Sequence, residues 1–216
     1  MSDRALVAYE RPDGRYNLHY VHDATSDLAA RLTPATPFGG ADPRAEWAAG
    51  LLRDLLTATT AEAPRVASRV PDGAVTAVDP APLAVGVRVE TLPDHVVFGS
   101  HEAVFLVDRS FEVGPYVAVP FDLGPVADAL AGTRLDPEAG GALVPVDPGS
   151  SVEGLRERAA GAREALGAAI DHADGSGHEF TAAAARVTLR ETLGRWVGRD
   201  RLLVADGGHG RTETGP

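Results

Sequence analysis

The chain has 216 residues, 44% apolar and 6% aromatic, with 31 acidic side chains against 20 basic ones and a net charge of −11. It contains no Cys, no Lys and no Gln, which excludes disulfides, Cys-ligated zinc, thiol nucleophiles, Schiff-base enzymes including those using pyridoxal phosphate, and the lysine-dependent phosphate loop. No apolar run approaches the roughly 18 residues that cross a bilayer, and the opening segment lacks the apolar stretch of a secretion signal, so a cytoplasmic protein without membrane association is expected.

The first element is a β-hairpin. Arg4–Glu10 and Arg15–His22 flank Pro12-Asp13-Gly14, in which proline presets φ and Gly14 supplies the positive φ of a three-residue loop with a bulge. Placing Arg11 opposite Arg15 pairs Glu10 with Tyr16, Ala8 with Leu18, Leu6 with Tyr20 and Arg4 with His22. That mostly apolar face is expected to pack inward. The other face, with Val7 beside His19, Tyr9 beside Asn17 and Ala5 beside Val21, is mixed and predicts a half-covered surface or a cleft.

A short helix is predicted over Ala24–Leu32, then a turn-rich loop from Thr33 to Ala41. Asp42-Pro43 starts a second helix, in which Trp47, Leu51, Leu55 and Ala58 share one face to about Glu62. A second Pro-Asp-Gly at 71–73 predicts a hairpin between Arg65–Val70 and Ala74–Val78. Leu83–Val89, Ala103–Val107 and Tyr116–Phe121 read as strands, the middle one central because it is almost continuously apolar; Pro120 places its strand at an edge or ends it. Ala142–Val146 is a further strand candidate.

Ser150-Ser-Val-Glu153 is a capping box, and Val152, Leu155, Ala159, Ala162, Leu166 and Ile170 define a helix to about His172. A Gly-rich linker, Asp174–Gly177, leads to a last helix with Ala185, Leu189, Leu193 and Trp196 on one stripe, giving an antiparallel pair against the sheet. Residues 206–216 have nothing to bury and are expected to be disordered. Together these elements predict a single α+β domain over 1–205, a mostly antiparallel sheet covered by about three main helices.

Known chemical motifs fail one by one. His19 and His22, three apart on a strand, point to opposite faces. His101-Glu102 and His178-Glu179 lack the second His of a zinc-protease helix, since Phe105 and Ala182 stand there. Asp171–Glu179 concentrates ligand atoms without the spacing of a calcium loop. Gly149–Glu153 is not a nucleophile elbow, and Gly175-Ser-Gly177 follows a helix where a dinucleotide fingerprint follows a strand. Arg186, Arg190, Arg195, Arg199 and Arg201 fall on a wet helix face and read as solvated rather than as a nucleic-acid site. No metal and no cofactor is expected.

One constellation remains. The mixed hairpin face brings Tyr9, Asn17 and His19 together, as candidates for a small-ligand site or, with His19 titrating near neutrality, a proton-transfer pair. The alternative is a satisfied polar patch beneath a loop.

All 20 basic residues are Arg, with a single Asn (Asn17) and a single Ile (Ile170), as a GC-rich genome and a salt-rich cytoplasm favour. Above about 1 M salt the screening length is below about 3 Å, so the acidity neither steers a basic partner nor repels DNA at range. Arg4–His22, Thr33–Gly39, Val78–Val87 and Glu102–Val113 resemble a family of haloarchaeal proteins catalogued only as a domain of unknown function. The resemblance covers most of residues 3–195 and implies a halophilic setting without an activity, cofactor or catalytic residue. The expected role is a non-enzymatic cytoplasmic protein that binds a partner protein or small ligand; the alternative is a small enzyme using His19 with Tyr9 or a divalent ion.

Overall fold

Pro12, Asp13 and Gly14 make the predicted turn. In the computed structural model, which describes residues 4–21, 27–40, 46–124, 130, 140–176 and 180–205, Arg11 N–H donates to Arg15 O over 2.7 Å and Gly14 has φ +75°. The strands it joins, β1 (Arg4–Glu10) and β2 (Tyr16–Val21), pair antiparallel with Glu10 opposite Tyr16, Ala8 opposite Leu18 and Leu6 opposite Tyr20. His22 lies outside the described residues.

Five further strands complete a mostly antiparallel sheet: β3 (Val78–Val87), β4 (His101–Val107), β5 (Val113–Pro120), β6 (Gly141–Pro145) and β7 (Leu203–Val204), in the order β3-β2-β1-β4-β5-β6-β7. β1 and β4 run parallel, Tyr9 beside Val107. As its apolar run predicts, β4 is the middle strand, and β5 ends at Pro120. β3 starts five residues before the predicted Leu83 and carries Pro80 and Pro82, as an edge strand with no neighbour on one side allows.

The chain divides into two compact units, Met1–Leu92 with Ser100–Tyr116, and Pro93–Gly99 with Val117–Pro216. In the first, α1 (Leu28–Arg31), α2 (Glu46–Thr57) and α3 (Ala63–Ala67) pack with Ala5, Val7, Tyr9, Val21 and Phe38 in one core. The starts predicted for the first two helices, Ala24 and Asp42-Pro43, lie outside the described residues. The mixed hairpin face is thus buried in this core rather than half covered. Leu6, Ala8 and Leu18 on the opposite face are buried as expected, while Tyr20 is half-buried.

Two predicted elements in this unit are corrected. The Trp47 helix stops at Thr57, not near Glu62. Its last carbonyls are diverted to the hairpin: Arg11 Nη1 donates to Ala58 O over 3.1 Å, and Asn17 Nδ2 donates to Leu55 O over 2.8 Å. The predicted second hairpin does not form, because Arg65–Val70 is α3 and the turn after it. Ala63, Val66 and Ala67 bury at helical spacing, and Pro64 suits a first helical turn, where its missing N–H costs nothing. Pro71-Asp72-Gly73 still turns the chain, with Ala74 N–H donating to Pro71 O, but it connects a helix to a loop.

In the second unit α4 (Val152–Gly175) and α5 (Ala182–Val197) pack together, with Leu155, Ala159, Leu166, Ile170, Ala185, Leu189 and Leu193 in a core shared with β6 and the end of β5. Ser151, one residue after the predicted cap, starts α4, its Oγ accepting from Gly154 N–H. The helix runs three residues past His172. Gly141 admits the Phe98 ring, which lies 2.4 Å from where a Cβ would stand. Residues 206–216, where a disordered tail is expected, lie outside the described residues.

Candidate functional site

Strand register places Tyr9, Asn17 and His19 on one face of the hairpin, and all three are buried. Each reaches a backbone carbonyl from a different segment. The Tyr9 hydroxyl donates to Pro37 O, Asn17 Nδ2 to Leu55 O, and His19 Nδ1 lies 2.9 Å from Asp79 O. Asn17 Oδ1 also accepts from Arg11 Nη1 over 3.0 Å and from Gly86 N–H over 3.3 Å. The network therefore ties the loop before α2, the end of α2 and edge strand β3 to the hairpin.

A carbonyl only accepts, so Nδ1 of His19 carries its proton. Nε2 is then a bare acceptor, buried without a hydrogen-bond partner among the described residues. Burial lowers the His19 pKa to about 4 against the opposing pull of Asp79, and it pushes the Tyr9 phenol well above its ordinary value. Aromatic edges fill the surroundings: Tyr9 meets His19 at 5.3 Å and Phe38 at 6.2 Å, and Phe38 stacks on Trp47 at 6.3 Å. The arrangement holds a neutral imidazole in an apolar box, its Nδ1 and the tyrosine hydroxyl both committed to backbone.

Tyr9 has a second role, because it also lines a pocket of about 150 Å³ at the adjoining ends of β1 and β4. Leu52 and Leu56 of α2 form another side, Val107 ends β4, and Pro12, Arg109 and Phe111 come from the two strand-end turns. Asn17 and His19 do not line it.

The two turns share one hydrogen-bond pattern. Arg11 N–H donates to Arg15 O and Gly14 N–H to Arg11 O; Asp108 N–H donates to Glu112 O and Phe111 N–H to Asp108 O. Where the first turn has Gly14, the second has Phe111, at φ +64°. A bulky residue in that left-handed region is strained, by about 1 kcal/mol or more. The Asp108 carboxylate holds the turn, accepting from Ser110 N–H, Ser110 Oγ and Glu112 N–H, bonds that keep its pKa below the usual carboxylate value.

Neither Phe111 nor the pocket emerges from the sequence reading. The signal available was the five-residue spacing of Asp108–Glu112 between two strands, the same length as Arg11–Arg15, with a side chain suited to an Asx turn in place of Pro-Asp-Gly.

Other candidates fall elsewhere. Among the described residues no three His, Asp or Glu side chains come together to hold a metal ion. Asp171, His172 and Asp174 stand near the end of α4, and Gly177–Glu179 lie outside the described residues. Arg195 Nε donates to Glu191 O, Arg199 lies 3.9 Å from Glu191, and Arg201 bonds both oxygens of Asp147. No helix among the described residues is long and apolar enough to cross a membrane.

Neither the curated proteins nor the solved structures contain a match to this chain. A family model does match, over residues 1–205, nearly the whole sequence. The chain accordingly belongs to the family of unknown function DUF6735.

Proposed function

We propose that this is a non-enzymatic protein that binds a small molecule with an apolar body in the pocket between Tyr9, Leu52, Leu56, Val107 and Phe111. The observation that carries this reading is the pocket, about 150 Å³ of mostly apolar space, which suits a body about the size of a benzene ring. Its place at the carboxyl ends of two parallel strands, walled by a helix, suits ligand capture.

Binding is favoured over catalysis by the state of the nearby polar groups. The Tyr9 hydroxyl is committed to Pro37 O and Asp108 to its own turn, so neither is free as an acid, base or nucleophile. The acid excess and the absence of Lys support a salt-rich cytoplasm, and a haloarchaeal origin, as the working environment.

Methyl-detected NMR during titration with toluene tests the reading. The Leu52, Leu56 and Val107 methyls are expected to shift while those of Leu189 and Leu193 stay fixed, and Leu56→Trp, which fills the pocket, abolishes the response. Unmoved pocket methyls at saturating toluene refute it.

A further inference from the structure

We infer that the ligand of this pocket is a small carboxylate, its apolar body held by Tyr9, Leu52, Leu56 and Phe111 and its carboxylate met by the guanidinium of Arg109. The inference rests on the binding reading above and adds the sign of the ligand's charge.

Three ionisable residues other than Tyr9 border the pocket: Glu10, Asp108 and Arg109. Strand alternation directs Glu10 away from Tyr9, to the face it shares with its cross-strand partner Tyr16. Burial raises the Tyr16 pKa first, and the negative charges of Glu10 and Asp108 add to it, so both carboxylates act on the tyrosine of that face. Asp108 is further occupied by Ser110 and Glu112. Arg109 differs: it is exposed at the turn, and among the described residues it makes no hydrogen bond or ion pair. Of the two charged residues that border the pocket without a hydrogen bond or ion pair among the described residues, Glu10 is turned to the opposite strand face, and Arg109 is the one left beside the apolar space, a planar cation whose paired N–H groups match a carboxylate.

Phe111 contributes shape. Its strained backbone is kept where the first turn has glycine, and the residue lines the pocket together with Arg109. Such strain persists where the surrounding structure over-determines it and clusters at ligand clamps.

Titrations of the full chain with benzoate, benzyl alcohol and benzylamine, at 0.1 and 1 M KCl where circular dichroism shows the protein folded, test the inference. Benzoate is expected to bind about fivefold tighter than benzyl alcohol at the lower salt, as a solvent-exposed ion pair allows. That ratio shrinks at 1 M KCl, where the screening length falls from about 10 Å to about 3 Å. Arg109→Met brings the ratio to one, and Arg53→Met, on the exposed side of α2, preserves it. Equal binding of benzoate and benzyl alcohol overturns the carboxylate assignment and leaves the pocket standing, and so does tightest binding of benzylamine. If none of the three moves the Leu52, Leu56 and Val107 methyls, the binding reading falls with it.

Discussion

Lowering the pH from 7.5 to 4 should weaken the first unit through one residue, His19. In the folded protein this imidazole is fully buried, with a pKa near 4 set mainly by burial, against 6.5 for an ordinary histidine. Because the folded pKa is the lower one, the unfolded chain binds the extra proton between those values, and stability falls as pH falls through that window. At about 1.36 kcal/mol per pKa unit the loss approaches about 3 kcal/mol by pH 4, and His19 adds nothing above about pH 7. His19→Phe provides the comparison, since a ring of similar size does not titrate. The variant leaves Asp79 O without its donor, a constant cost of about 1–3 kcal/mol. The wild type should therefore be the more stable at pH 7.5, and the gap should close or invert by pH 4. Urea unfolding followed by Trp47 fluorescence in a Trp196→Phe background reads this unit directly, because Trp47 stacks on Phe38 beside His19. Parallel stability curves for wild type and variant from pH 7.5 to 4 would refute the reasoning, since His19 would then titrate no differently folded and unfolded.

Other expectations concern packing and solvent. Asn17→Ala removes the donor to Leu55 O and the acceptor for Arg11 and Gly86, and should lower stability by about 1–3 kcal/mol in thermal melts; an unchanged midpoint contradicts the tie between hairpin and α2. Gly141→Ala puts a methyl group 2.4 Å from the Phe98 ring and should cost about 1–3 kcal/mol, partly recovered with Phe98→Leu, whereas a neutral Gly141→Ala melt contradicts the close approach. Raising KCl from 0.1 to 2 M should raise the melting temperature by screening repulsion among the 31 acidic groups, and a falling temperature would contradict the salt-adapted reading.

The first hairpin was legible to the residue because Pro-Asp-Gly dictates both loop length and register, and register alone brought Tyr9, Asn17 and His19 together. Their partners were not legible. Pro37 O, Leu55 O and Asp79 O are backbone atoms that any residue carries, so no side-chain pattern announces them. The cover over that face comes from Phe38, Leu28 and α2, distant in sequence, which is why a buried face reads as half covered or as the lining of a cleft. Arg65–Val70 was misread because its short apolar alternation fits a strand beside a turn motif, while the competing helical signal, Pro64 with Ala63, Val66 and Ala67, spans little more than a turn. Phe111 was invisible for a different reason: glycine advertises positive φ, and a phenylalanine forced there does not.

The most direct test of the account is a crystal structure of the protein soaked with 4-bromobenzoate. The account predicts an anomalous bromine peak between Leu52, Leu56, Val107 and Phe111, with the carboxylate in hydrogen-bond reach of Arg109. Bromine found only elsewhere on the molecule, with this pocket closed by its own side chains, would contradict it.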